Sequence, residues 1–146
     1  MRAAARSPAA AVPQVPSYAS LALFDTFPAM VWRSDVDGLC DYFNEAWLRF
    51  RGRSIAQEMG TGWSEGVHED DLSTCLQDYM DAVQGRRTFA LEYRLRRWDG
   101  QYRWILDLGQ PANLPDGRFA GYIGCCYDIT EQKEAGLTGR PLPKEI

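Results

Sequence analysis

One histidine, His68, and four cysteines, Cys40, Cys75, Cys125 and Cys126, are the side chains best suited to ligate a metal or attack a substrate. Their spacing argues against both. No Cys-x-x-Cys pair occurs and no His or Cys stands at zinc-ligand separation from another, so the sequence predicts no metal site. Cys125 and Cys126 are neighbours on a predicted strand, where successive side chains point to opposite faces and do not readily bridge. All four are expected to be reduced thiols of a cytoplasmic protein. His68 is the only imidazole available as a haem ligand or general base. It stands just before a predicted helix, where orienting the helix start by hydrogen bonds is the simpler role.

Catalysis would need a nucleophile with an orienting base, or paired carboxylates in a cleft. Asp70-Asp71 reads as charge at a helix N-terminus, and Asp35 with Asp37 as turn chemistry. No catalytic residue is assigned, and the chain is read as non-enzymatic. A rival reading, a small α+β lyase or isomerase, requires Asp107 to be buried in a pocket with a raised pKa. An exposed or salt-bridged Asp107 would dismiss it.

The elements that must position these groups follow from length and pattern. At 146 residues, 45% hydrophobic and 25% charged, the chain has the size and balance of one packed domain. A net charge of −4 argues against a nucleic-acid partner. The cluster Arg86, Arg87, Arg94, Arg96, Arg97 and Arg103 is interleaved with Glu92, Asp99 and Asp107, and reads as a solvated, partly paired face. Residues 1–16, rich in Ala and Pro, contain no apolar run of signal-peptide or membrane-span character, so disorder and no direct membrane contact are expected there.

Ser17 is a cap for a short helix running to Phe27, stopped by Pro28. Met30 to Asp35 and Leu39 to Phe43 are strands joined at Asp37-Gly38. Asn44 caps a helix over Glu45 to Arg51 with Gly52 as terminator, and a helical turn follows over Ser54 to Met59. Asp70 to Gln84 places Leu72, Cys75, Leu76, Tyr79, Met80 and Val83 at helical spacing, ending at Gly85. Three strands are predicted next, over Thr88 to Arg97, Tyr102 to Gln110 and Arg118 to Thr130. Glycines and prolines in the tail, residues 134–146, predict a flexible end or linker. A strand pair, helices and a strand triplet point to an α+β fold: an antiparallel sheet with short helices on one face.

Several motifs then carry a resemblance. Trp63, with Gly66-Val67-His68-Glu69-Asp70-Asp71, resembles the Trp-x-x-x-x-His-Pro-Asp-Asp signature of PAS domains of the fold-3 type. Glu92-Tyr93-Arg94, Asp99-Gly100 and Arg103-Trp104 resemble the family's next two strands, and Asp128-Ile129-Thr130-Glu131 resembles its PAC-like close. Glu69 replaces the usual Pro; both suit a helix N-terminus. The resemblance spans about residues 24–133. It implies a five-stranded antiparallel sheet cupping helices around a pocket filled by a ligand or by side chains. It also implies a sensory domain over residues 17–133 that regulates an output domain, with a sensor histidine kinase first and a diguanylate cyclase or transcription regulator next. Asp128 and Thr130 are the expected signal-transmission residues.

Two registers are open at Asp99-Gly100. A two-residue loop pairs Leu95 with Trp104 and Tyr93 with Leu106. A three-residue loop with a Gly bulge pairs Leu95 with Ile105 and Tyr93 with Asp107, sending Trp104 to the other face. The resemblance favours the second, giving pocket candidates Trp47, Met80, Tyr93, Leu95, Ile105 and Cys126. On the last strand Tyr122, Gly124 and Cys126 share one side, and Ile123, Cys125, Tyr127 and Ile129 the other. A sheet apolar on both faces needs cover on both, which predicts a homodimer. The cysteine-containing flavin motif of light-sensing relatives is absent, so a cysteinyl-flavin is not expected; haem is not expected because His68 serves the helix start, and non-covalent flavin, over Trp47, Tyr93 and Met80, or an unknown small ligand stays open. The alternative to a ligand sensor is a ligand-free dimerisation or docking module with a filled core.

Overall fold

The computed structural model describes residues 22–136, with only the backbone of residues 22 and 23. A 3-10 turn, Ala22–Thr26, precedes β1 (Met30–Ser34) and β2 (Cys40–Phe43). The helical layer is α1 (Glu45–Arg51), α2 (Ile55–Glu58), a 3-10 turn at Gly62–Gly66 and α3 (Glu69–Gly85). Three strands follow, β3 (Phe89–Arg96), β4 (Tyr102–Asn113) and β5 (Phe119–Asp128), and then α4 (Thr130–Glu134). The five strands form one antiparallel sheet in the order β2-β1-β5-β4-β3. The α+β architecture predicted above is thus the observed one. No helix among the described residues is long and apolar enough to cross a membrane. The expectations for residues 1–16, for the Ser17 cap and for the tail beyond residue 136 lie outside the described residues.

Local chemistry explains the helix limits. The Asn44 side chain accepts the Trp47 N–H at the start of α1, and Gly52 closes it in the left-handed conformation, φ 66°. Asn44 does more than cap. Its Oδ1 also accepts the Val31 N–H, and its Nδ2 donates to Phe24 O and Ala29 O, tying helix, first strand and N-terminal turn together. Ser54 and Gln57 form a reciprocal capping box on α2. His68 takes the hydrogen-bonding role expected of it: Nδ1 accepts the Asp70 N–H at 3.1 Å, and the His68 backbone N–H donates to Arg94 O.

Three local expectations are corrected. The helix α3 runs through Gly85, and Arg86, at φ 50°, is the left-handed residue, its N–H bonding to Ala82 O and Val83 O. A helical turn forms at Thr130–Glu134 before Gly136, within the segment predicted as strand end and irregular tail. At the β3–β4 hairpin neither predicted register occurs: Tyr93 pairs with Ile105 and Leu95 with Arg103. The loop is Trp98-Asp99-Gly100, closed by the Arg97 N–H to Gln101 O, with Gly100 at φ 85°. This is a two-residue displacement from the three-residue-loop expectation. A shift of two keeps every side chain on its face. Tyr93, Leu95, Ile105 and Asp107 therefore still point into the core, and Trp104 points away.

Three arginines of β3, β4 and the hairpin between them pair with carboxylates: Arg94 with Asp71, Arg97 with Asp99 and Arg103 with Asp128. Asp107 does not join this face; it turns inward.

Candidate functional site

The inner face of the sheet is built in rows across strands. One row runs Leu91, Asp107, Cys126 and Met30; the next runs Phe89, Gly109, Gly124 and Trp32. The two glycines are a consequence of close approach. A Cβ at Gly124 would sit 2.4 Å from the Trp32 indole, and one at Gly109 would sit 2.3 Å from the Phe89 ring. Bare backbone lets both rings pack directly against the sheet. Trp32 is thereby aimed along the sheet toward Asp107.

Asp107 is the centre of this arrangement. It is 6% exposed. Its Oδ1 accepts the Trp32 Nε1–H at 2.8 Å and its Oδ2 accepts the Tyr93 O–H at 2.7 Å. Burial lifts its pKa to about 6, against the lowering effect of the hydrogen bonds from Tyr93, Trp32 and Cys126. Burial and the nearby Asp107 charge push the Cys126 and Cys40 thiols well up, and Cys75 to about 12. Burial likewise raises the Tyr93 and Tyr79 phenols. Asp107 is thus surrounded by groups that stay neutral near pH 7.

A small cavity adjoins this carboxyl, lined by Trp32, Cys40, Phe43, Trp47, Trp63, Cys75, Tyr79, Leu91 and Asp107. Its volume is about 10 Å³, room for roughly one water. Aromatic rings make most of the wall. Trp32 and Trp63 each meet Tyr79 edge to face, with centroids 6.0 and 5.9 Å away, and Phe43 lies 4.9 Å from Trp47.

The predicted pocket residues separate into three groups. Trp47 lines the cavity. Tyr93, Leu95, Ile105 and Cys126 are buried in the core around it, and Tyr93 reaches it through Asp107. Met80 stands apart: it is 39% exposed and lines a surface groove with Val36, Val83 and Phe119. Sequence reasoning left out Trp32, Cys40, Cys75 and Tyr79 as lining residues and treated Trp63 only as a motif. Their alternation on β1 and spacing on α3 were visible, but not which rings would meet.

A second buried carboxylate also went unrecognised. Glu58, at the end of α2, is fully buried; its Oε1 accepts from Arg51 Nε at 2.7 Å and Trp47 Nε1 at 3.0 Å, and its Oε2 from Arg53 Nε at 2.9 Å. Arg51 and Arg53 flanking the helix were the available signal. This cluster fixes the Trp47 indole, and so one wall of the cavity.

Asp128 and Thr130 join the end of β5 to β4. Asp128 Oδ2 accepts from Arg103 Nε at 2.8 Å, and Asp128 Oδ1 accepts from the Thr130 hydroxyl and N–H. The Thr130 hydroxyl oxygen in turn accepts the Trp104 N–H at 2.8 Å, and the Ile129 N–H donates to Trp104 O. Lys133 of α4 sits 4.2 Å over the Trp104 ring. The terminal helix is thereby latched to the strand that carries Asp107.

A five-stranded antiparallel sheet wrapped around a buried core, with its last strand hydrogen-bonded to the helix that follows it, defines an α+β fold class. The PAS fold family matches residues 41–126, and the chain belongs to that family. The chain is 37% identical over 114 residues to the uncharacterized protein y4lL of Sinorhizobium fredii, covering 78% of this chain and 14% of that protein. It is 32% identical over 126 residues to the peroxide stress-activated histidine kinase mak1 of Schizosaccharomyces pombe, covering 80% of this chain and 8% of that protein. Among solved structures, the N-terminal domain of a diguanylate cyclase with PAS/PAC sensor from Marinobacter aquaeolei superimposes with a TM-score of 0.63 at 19% identity. That superposition covers 72% of this chain and 98% of the other. The chain therefore spans only a small part of the curated relatives it matches.

Proposed function

We propose that this chain is a ligand-responsive sensory domain that regulates an output domain, a sensor histidine kinase first among the candidates. The observation that carries the reading is the shared strand: β4 places Asp107 at the cavity and, three residues away, Trp104 at the latch to α4. A ligand that repositions Asp107 has a covalent path to the C-terminal helix. Signalling then requires that the ligand favour one of two positions of that latch. Similarity to a histidine kinase supports the output assignment.

A second copy of the chain is the proposed partner. Leu108, Ile123, Cys125 and Tyr127 on the outer face are only partly covered, and Phe27 beside them is 51% exposed. Neither nucleic acid nor a lipid surface is proposed, since Arg94, Arg97 and Arg103 are already paired. Four free thiols suit the reducing cytoplasm.

The test uses the full-length parent protein. Asp128→Ala is expected to leave the domain folded and to abolish signal-dependent change in kinase autophosphorylation. Unchanged regulation would refute the transmission route. The reading as a docking module with a filled core draws on the small cavity, about 10 Å³. Native mass spectrometry separates the two: extra mass lost on denaturation supports the sensor, and none supports the docking module. The lyase reading met its stated requirement, since Asp107 is buried with a raised pKa. The lining of the cavity brings it no histidine, lysine or second carboxylate to work with, which favours the sensory reading.

A further inference from the structure

The Asp107 carboxylate has no cation. Its partners are an indole N–H, a phenol and a thiol, all neutral, and no Lys, Arg or His among the described residues forms an ion pair with it. A buried anion is ordinarily paired or coordinated, because its desolvation is costly. A carboxylate has about four acceptor positions and three are taken by Trp32, Tyr93 and Cys126. The cavity beside it is walled by Trp32, Phe43, Trp47, Trp63 and Tyr79. Aromatic walls with one carboxylate are the surroundings in which an ammonium group is stabilised, by ring quadrupoles and by a single opposite charge.

The way in has the same sign. Asp70, Asp71 and Asp78 of α3 and Glu92 of β3 line a surface groove together with Cys75 and Leu91. Cys75 and Leu91 also line the inner cavity. They form the partition between an acidic exterior and the carboxylate within. Arg94 lies against Asp71 and, at 4.0 Å, Asp70, and Lys133 against Glu92, so the four carboxylates meet two cations and the groove stays negative.

We infer that the core cavity takes a small organic cation, an amine in its ammonium form or a quaternary ammonium, held by Asp107 within the aromatic walls and admitted past Leu91 and Cys75. This rests on the sensory reading above and specifies its ligand class. The space in this form suits about one water, so admission requires that the Leu91–Cys75 partition yield. Cys40, Cys75, Tyr79, Tyr93 and Cys126, the titratable groups facing Asp107 from β2, α3, β3 and β5, are all held neutral by burial and contribute no competing charge.

The experiment is titration of the purified full chain with methylammonium, tetramethylammonium and choline at constant ionic strength, read by tryptophan fluorescence and calorimetry. The neutral carbon isostere of choline, 3,3-dimethylbutan-1-ol, is the control. At least one cation is expected to bind saturably, with choline favoured over its isostere by about tenfold or more. Asp107→Asn is expected to erase that preference. Should the variant not fold, the wild-type chain gives the same answer: the preference must shrink between pH 7 and pH 5 as Asp107 takes up a proton. Equal binding of choline and its isostere, or no saturable binding of any of the three cations up to about 10 mM, would overturn the inference. A neutral molecule that co-purifies and stays bound in Asp107→Asn would also overturn it, while leaving the sensory reading standing.

Discussion

Glu58 and Asp107 are both carboxylates inside the domain, 0% and 6% exposed, and the fold treats them in opposite ways. Glu58 receives two guanidinium groups and an indole N–H. Asp107 receives only neutral donors. A buried anion with its counter-ions in place is fixed, and anchors α1 and α2 behind Trp47. A buried anion without one depends for its charge on what arrives, whether a proton or a cation. Two equally buried carboxylates can thus be a strut and a responsive centre.

The largest effect is expected at the strut. Glu58→Ala leaves the buried Arg51 without its carboxylate, while Arg53 keeps Glu65, and should destabilise the domain by about 3–5 kcal/mol in urea unfolding. A loss below about 1 kcal/mol would place Glu58 among surface pairs and end the contrast. The next effect belongs to Asp107 and is read against pH. Its folded pKa, about 6, lies above its ordinary value of 3.8, so the folded state binds the extra proton between those values. Stability should therefore fall as pH rises from about 4 to about 6, by about 3 kcal/mol, and Asp107→Asn should flatten that slope. Asp71 and Asp128 have lowered pKa values, so their contribution is present above 3.8 and is lost only as the pH falls through their folded pKa values, which lie below 3.8. The two windows do not overlap.

Smaller changes sharpen the same comparison. Asn44 is a buried polar group that is fully partnered yet uncharged, and Asn44→Ala should cost about 2 kcal/mol by thermal or urea unfolding. Arg103→Ala removes a partly exposed pair with Asp128 and should cost less than about 1 kcal/mol. If Arg103→Ala nonetheless alters the signal-dependent output proposed for the parent protein, the latch matters to signalling more than to stability.

What could be read from the sequence was local. Helix α1 matches its predicted bounds because Asn44 and Gly52 are adjacent signals that act within one turn. The strands appeared in the right order for the same reason, each bounded by turn residues. The Asp99-Gly100 hairpin was displaced by two residues, yet the faces of Tyr93, Leu95 and Ile105 were right, because side-chain direction depends only on parity. Met80 was misgrouped since helical spacing defines an arc wider than the surface that α3 buries; Cys75, Tyr79 and Val83 fill that surface. Trp32 owes its role to a contact with Asp107 on a distant strand, and Glu58 carried no periodic signal although its partners Trp47, Arg51 and Arg53 lie just before it in the chain. Asp107 was recognised only as a condition to be checked. Its significance depends on what surrounds it, which no spacing within one strand reveals.

The most direct test follows the Asp107 carboxyl carbon by NMR through a pH titration, assigned with Asp107→Asn. A midpoint near 6 that moves lower when a bound cation is added is the predicted result. A midpoint near the ordinary 3.8, unmoved by choline, would mean that Asp107 is already compensated inside the fold, and would contradict the assignment of this carboxylate as the responsive centre.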